Sequence, residues 1–204
     1  MKKLIGSVVL AAALAASFTG CSGKDAKPEE ANFDCTQEGV RAPEWTCMPD
    51  SAVEGSLTDL GSAPFSKLGA GFTRTEAMAN ARNSLSFQVE TKVKAKVEQF
   101  ARSTGAGSDE VADKVSTQVS KQTSKIALTG SKQLKSWQHP QTKTLYVLVG
   151  VDEKSINQEA KNNVKSSYKN DNALWQQFQA KNALESLEKE FPTEKHSLSR
   201  PCLL

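Results

Sequence analysis

Between residues 73 and 102 apolar side chains recur every three or four positions. Met78, Ala81, Leu85, Val89, Val93, Val97 and Phe100 make one stripe, and Arg74, Glu76, Arg82, Glu90, Lys92, Lys94, Lys96 and Glu98 fill the rest of the circumference. This spacing predicts an amphipathic helix of about six turns. Thr73-Arg74-Thr75-Glu76 fits a capping box at its start, and the run Ser103-Thr104-Gly105-Ala106-Gly107 stops it. Ser108 then caps a second helix through Asp109 and Glu110, with Val111, Val115, Val119 and Ile126 as its stripe among Ser, Thr and Gln.

The period next changes from helical to alternating. Residues 125–138 have strand character ending in Trp137, and residues 142–152 (TKTLYVLVGVD) predict the best strand of the chain, with Gln138-His139-Pro140-Gln141 as the turn between them. Leu145, Val147, Val149 and Val151 share one face and Tyr146 and Leu148 the other, so this strand is expected at the centre of a sheet covered on both sides. Residues 56–63 (SLTDLGSA) predict a shorter strand ended by Pro64, and Trp45, between two prolines, an extended segment whose indole packs on the domain edge. Asp152 caps a third helix carrying Ile156, Ala160, Val164, Leu174, Phe178 and Leu187, with a break or kink at Lys169-Asn170-Asp171-Asn172. The expected fold class is α+β: a long helix packed on a small antiparallel sheet, with a helical C-terminal extension.

The first residues belong to a different pattern. Lys2 and Lys3 precede the apolar run LIGSVVLAAALAA, which is too short to span a bilayer and reads as an export signal, residues 1–20. It closes on Phe18-Thr19-Gly20-Cys21, which resembles the bacterial lipobox and implies that Cys21 is acylated and becomes the mature N-terminus. Ser22, a residue other than Asp, implies sorting to the outer membrane. Residues 21–40 are then the lipidated N-terminus and a polar tether.

Removing residues 1–20 takes away two lysines and no acid, so the formal net charge falls from +3 to +1. Such a balanced chain has no electrostatic footprint for nucleic acid. Export permits disulfides, and Cys35, Cys47 and Cys202 remain once Cys21 carries lipid. Cys35 with Cys47 closes a short loop and is the first pairing to consider; Cys47 with Cys202 would staple the C-terminal tail. Spacing leaves both open.

Chemistry has little sequence support. No CxxC is present, and the two histidines fall in a turn (His139) and in a polar tail (His196), where solvated surface roles are expected. Gly69-Ala70-Gly71 lacks the third glycine of a dinucleotide fingerprint and reads as a loop. No catalytic residue, metal ligand or cofactor is expected. Trp45, Trp137 and Trp175 read as core or edge packing.

The residues Pro43-Glu44-Trp45, Leu60-Gly61-Ser62-Ala63, the helix start from Ala77 to Leu85, and Trp137 followed by Leu145-Tyr146-Val147-Leu148-Val149 resemble the LPP-twenty family of outer-membrane lipoproteins, whose relatives include lipoproteins of the flagellar basal disk. The resemblance covers residues 41–152, with residues 153–191 as a helical extension and 192–204 as a loose tail. It implies a palmitate-bearing lipoprotein at the periplasmic face of the outer membrane. Its structural or assembly role would rest on self-association or an envelope protein partner. A periplasmic module binding a small amphipathic ligand or a peptidoglycan component is the alternative. Trp175 and Phe178, in the less regular C-terminal helices, are the candidate interaction residues, and substitutions there are expected to spare the core.

Overall fold

The computed structural model describes residues 34–193, which belong to one compact unit. The export signal, the Cys21 lipidation site, the tether to residue 33, His196 and Cys202 lie outside the described residues. The architecture is α+β, as the patterning predicts. A two-residue hairpin, β1 (Thr36–Gln37) and β2 (Val40–Arg41), precedes two short 3-10 turns and the strand β3 (Ser56–Ala63). The long helix α1 (Ala70–Thr104) and the antiparallel helix α2 (Asp109–Gly130) follow, then β4 (Lys132–Gln138) and β5 (Leu145–Asp152). Helices α3 (Glu153–Lys169), α4 (Asn172–Ala180) and α5 (Ala183–Glu190) complete the chain.

The sheet order is β3-β5-β4, antiparallel throughout, so β5 is the central strand. Leu57, Gly61 and Ala63 pair with Val151, Val147 and Leu145, which puts small and apolar residues on the face beneath α1. Ala81, Leu85, Val89, Val93, Val97 and Phe100 are buried, as the stripe predicts; Met78, its first expected member, is only half-buried, and Ala77 takes the buried place before Ala81. At Gly61 the helix comes so close that a Cβ would lie 2.2 Å from the Ala81 nitrogen and 2.3 Å from the Ala77 oxygen. Only glycine opposite two alanines allows that approach.

The other sheet face is covered by residues 34–55. Cys35 and Cys47 are disulfide-bonded, with Cα atoms 5.9 Å apart, which settles the pairing. The lobe they close docks on the sheet through polar contacts. His139 Nε2 bonds the Gln37 carbonyl at 3.2 Å, Tyr146 donates to the Glu38 carboxylate at 3.2 Å, and the Thr58 hydroxyl donates to the Pro49 carbonyl. Tyr146 and Leu148 are consequently buried, completing the two-sided cover of β5.

Four local expectations are corrected. Helix α1 starts at Ala70 with Gly69 before it, and Thr73 is no cap: its buried hydroxyl accepts from the Ser66 amide at 2.9 Å and donates back to the Gly69 carbonyl, fixing the loop to the first turn. Residues 125–130 continue α2 and are not strand, and β4 begins only after Ser131. The face of α2 that packs inward contains Ser116, Ser120, Thr123 and Ser124 beside Val115 and Val119, whereas Ile126 is exposed. Ser116 and Ser120 turn their hydroxyls to the carbonyls three residues back, and Ser124 meets Ser86 of α1 at 2.6 Å. Small hydroxylated residues let the helices approach, with each polar atom satisfied. Finally, Trp45 stands in a 3-10 turn, Glu44–Thr46, and not in an extended segment.

The C-terminal helices close over the far end of α1. Asp152 caps α3 by accepting from Ser155 at 2.8 Å, and Asp171 caps α4 after the expected break. Buried Lys161 donates to Glu188 at 2.6 Å and ties α3 to α5. Leu85→Ala or Val89→Ala, both with fully buried side chains, should cost about 2–4 kcal/mol through lost burial and a residual cavity. Gly61→Ala should cost about 2–3 kcal/mol by forcing α1 off β3. Urea denaturation measures both.

Candidate functional site

The residues with chemical potential are mostly engaged in the fold. His139 is fully buried, contrary to the solvated role expected of it. Its Nδ1 accepts from the amides of Gln141 and Thr142 at 3.2 and 3.0 Å, so Nε2 carries the proton donated to Gln37. Trp137 packs edge-on against His139 at 5.7 Å and tilts over Tyr146 at 5.4 Å, which makes it part of the contact between sheet and disulfide lobe. Among the described residues no group of three or more His, Cys, Asp or Glu is placed to hold a metal ion.

Phe178 is not at a surface. It is 0% exposed, in an aromatic cluster with Phe100 at 5.9 Å and Tyr168 at 5.2 Å, beneath a stacked Trp175 at 5.1 Å. The Tyr168 hydroxyl donates to the Ala106 carbonyl at 3.0 Å, and burial pushes its pKa up. Charge at Phe178 would therefore unfold the end of α1, not uncouple a partner. Trp175 is half-buried, with the Lys169 ammonium 5.1 Å above its ring.

The open surface lies on the outer side of α1. Phe87 is 74% exposed, on the side of α1 opposite the buried stripe. Its odd position between Leu85 and Val89 in an otherwise regular pattern is the sequence signal that marks it. Beside it runs a groove of about 630 Å³ lined by Asp59, Asn83, Ser84, Phe87, Gln88, Thr91 and Lys92. A second, smaller groove, about one turn further along α1, is lined by Phe87, Glu90, Thr91, Lys94, Ala95 and Glu98.

Strand β3 supplies the wall of the first groove. The Asp59 carboxylate accepts from the Leu60 amide at 2.7 Å, and the Ser62 carbonyl accepts from Asn80 at 2.9 Å, so side chains occupy polar groups along this edge. The Asp59 pKa is raised, first by burial and then by Asp50, against the lowering effect of the Leu60 bond. Gln88 donates to Asp50 at 2.8 Å, while its own carbonyl oxygen is buried and unpartnered. The region offers an apolar knob, an acid pair and an orphan acceptor, with Lys92 at the rim. That combination suits docking by a surface with apolar and cationic groups; it contains no nucleophile paired with a base.

The family model described as LPP20 lipoprotein matches residues 43–152, from just after β2 to the last residue of β5. That stretch contains Asp59, Phe87 and both grooves, and leaves out Cys35 and α3–α5. No curated protein matches the chain.

Because the folded state raises the Asp59 pKa, the native protein binds the proton more tightly than the unfolded chain. The associated stability is present below the ordinary carboxylate pKa and lost as pH rises through the folded value. Asp59→Asn should therefore raise Tm at pH 7 and give no such gain at pH 3. Thermal melts of the two proteins across this range measure the difference.

Proposed function

We propose that this chain, which belongs to the LPP20 lipoprotein family, is a non-enzymatic lipoprotein of the outer membrane that serves envelope assembly. Acyl chains on Cys21 hold it in the membrane, and the domain faces the periplasm. The observation that carries this reading is the exposed Phe87 ridge between two grooves on the longest helix, an apolar projection that the fold itself does not use. Further support comes from where the reactive side chains go. His139 is locked by three hydrogen bonds, Cys35 and Cys47 are bonded to each other, and Lys161 is buried against Glu188. The flagellar basal disk is the assembly that the family resemblance suggests first.

A second reading rests on the Asp59–Gln88 groove. An acid and an orphan acceptor beside an aromatic ring would suit a small amphipathic cation or a peptidoglycan fragment. A melting-temperature rise with muropeptides, abolished by Phe87→Ala, would favour it over assembly.

The anchor is tested by Cys21→Ser. The wild-type protein should sediment with outer-membrane markers and lose that association on substitution, appearing as unprocessed or soluble precursor. Unchanged outer-membrane fractionation of the Cys21→Ser protein contradicts the proposed role.

A further inference from the structure

The assembly reading leaves open which surface associates and with what, and the inference here rests on that reading. The outer face of α1 has features that fit a second copy of itself. Phe87 is a knob, and the groove one turn further on, floored by Ala95 and walled by Thr91, Lys94 and Glu98, is a hole. With 100° of rotation and about 1.5 Å of rise per residue, Thr91 lies at the middle of the face that contains Ser84, Phe87, Gln88, Lys94, Ala95 and Glu98. A two-fold axis beside Thr91, pairing the helices antiparallel, carries each Phe87 about 6 Å past the axis and onto the other chain's Ala95 groove.

Charge agrees with the same operation. Lys94 turns to Asp113 at 3.5 Å and Glu98 at 3.9 Å, which leaves Glu90 without an ion pair among the described residues. Lys92 likewise makes none on the opposite flank, where Asp59 and Asp50 stand close together and neither forms an ion pair among the described residues. The two-fold brings Glu90 of one copy beside Lys94 of the other, and Lys92 of one copy over the groove that holds Asp59 of the other. Both unpaired charges thus meet opposite charge, and the uncompensated acids gain a lysine.

We propose that the α1 outer face, centred on Thr91, is a homodimerisation surface in which each Phe87 inserts between Thr91, Lys94, Ala95 and Glu98 of the second copy. A single helix face lies at the small end of specific interfaces, so pairing is weak in dilute solution and favoured where anchoring on one membrane raises the effective concentration.

The test uses the full-length lipoprotein in cells. At helix separations of about 8–10 Å, two residues on the axis have Cα atoms roughly 4–5 Å apart, within disulfide range. Thr91→Cys should give a dimer on mild oxidation that reducing agent reverses, above the level of wild type and of Ser166→Cys on the exposed side of α3. Adding Phe87→Glu should weaken pairing at least about tenfold, read as loss of that dimer, with an unchanged melting temperature because Phe87 is largely exposed. Glu90→Lys should also reduce it, and Glu90→Lys with Lys94→Glu should restore it. Cross-linking of Thr91→Cys no greater than Ser166→Cys, in a protein that self-associates through other positions, overturns this surface and leaves the assembly role standing. A strictly monomeric protein in the membrane, with no envelope partner cross-linked to it, overturns both.

Discussion

The contact between Gly61 and the Ala77–Ala81 turn sets the position of everything else. It brings the axis of α1 close to β3, so the buried stripe from Leu85 to Val97 runs on over the core that Val147, Val149 and Val151 of β5 share. Because the stripe continues past the end of the sheet, Phe100 emerges where Tyr168 and Phe178 can surround it. The same approach places Asp59, two residues before Gly61, against Ser84 and Gln88. One glycine opposite two alanines therefore fixes both the core and the groove beside Phe87.

The second constraint is that β5 must be covered on both faces. Helix α1 covers one with apolar packing. The disulfide lobe covers the other with directed polar contacts, since a segment of about twenty residues cannot supply much apolar area. Closing the Cys35–Cys47 loop reduces the freedom the unfolded chain would otherwise have, a gain of about 3 kcal/mol on loop-entropy grounds. Buried polar groups in this contact are satisfied in pairs: His139 by the lobe and its own turn, Thr58 by Pro49. Satisfied in this way, they add specificity of docking without the penalty of an unpaired buried group.

Much of this was legible in the residues. The α1 stripe, the two-faced β5, the caps at Ser108 and Asp152 and the break near Asn170 follow local rules of period and capping, and the structure retains them. What was hidden depends on tertiary context. Thr73 has a capping sequence, but its hydroxyl is claimed by Ser66 one turn after the true start. The Ser and Thr residues of α2 look like weak helix formers, yet they are its packing face, because α1 offers small partners there. His139 in a polar turn gives no hint that a separate lobe will bury it, and Phe178 in a poorly patterned helix gives none that Phe100 and Tyr168 await it. Phe87 stands on the side of α1 away from its regular stripe, a signal present in the periodicity that a reading for core positions passes over.

The sheet, α1 and the C-terminal helices share one core through Phe100, Tyr168 and Phe178 and should unfold as one cooperative unit, although the family match ends at residue 152. Native-state hydrogen exchange tests this most directly. The slowest amides of β5, α1 and α3 should exchange with the same free energy and the same denaturant dependence, through global unfolding. Exchange of α3 through a separate opening, at clearly lower free energy than β5 and α1, would contradict the account.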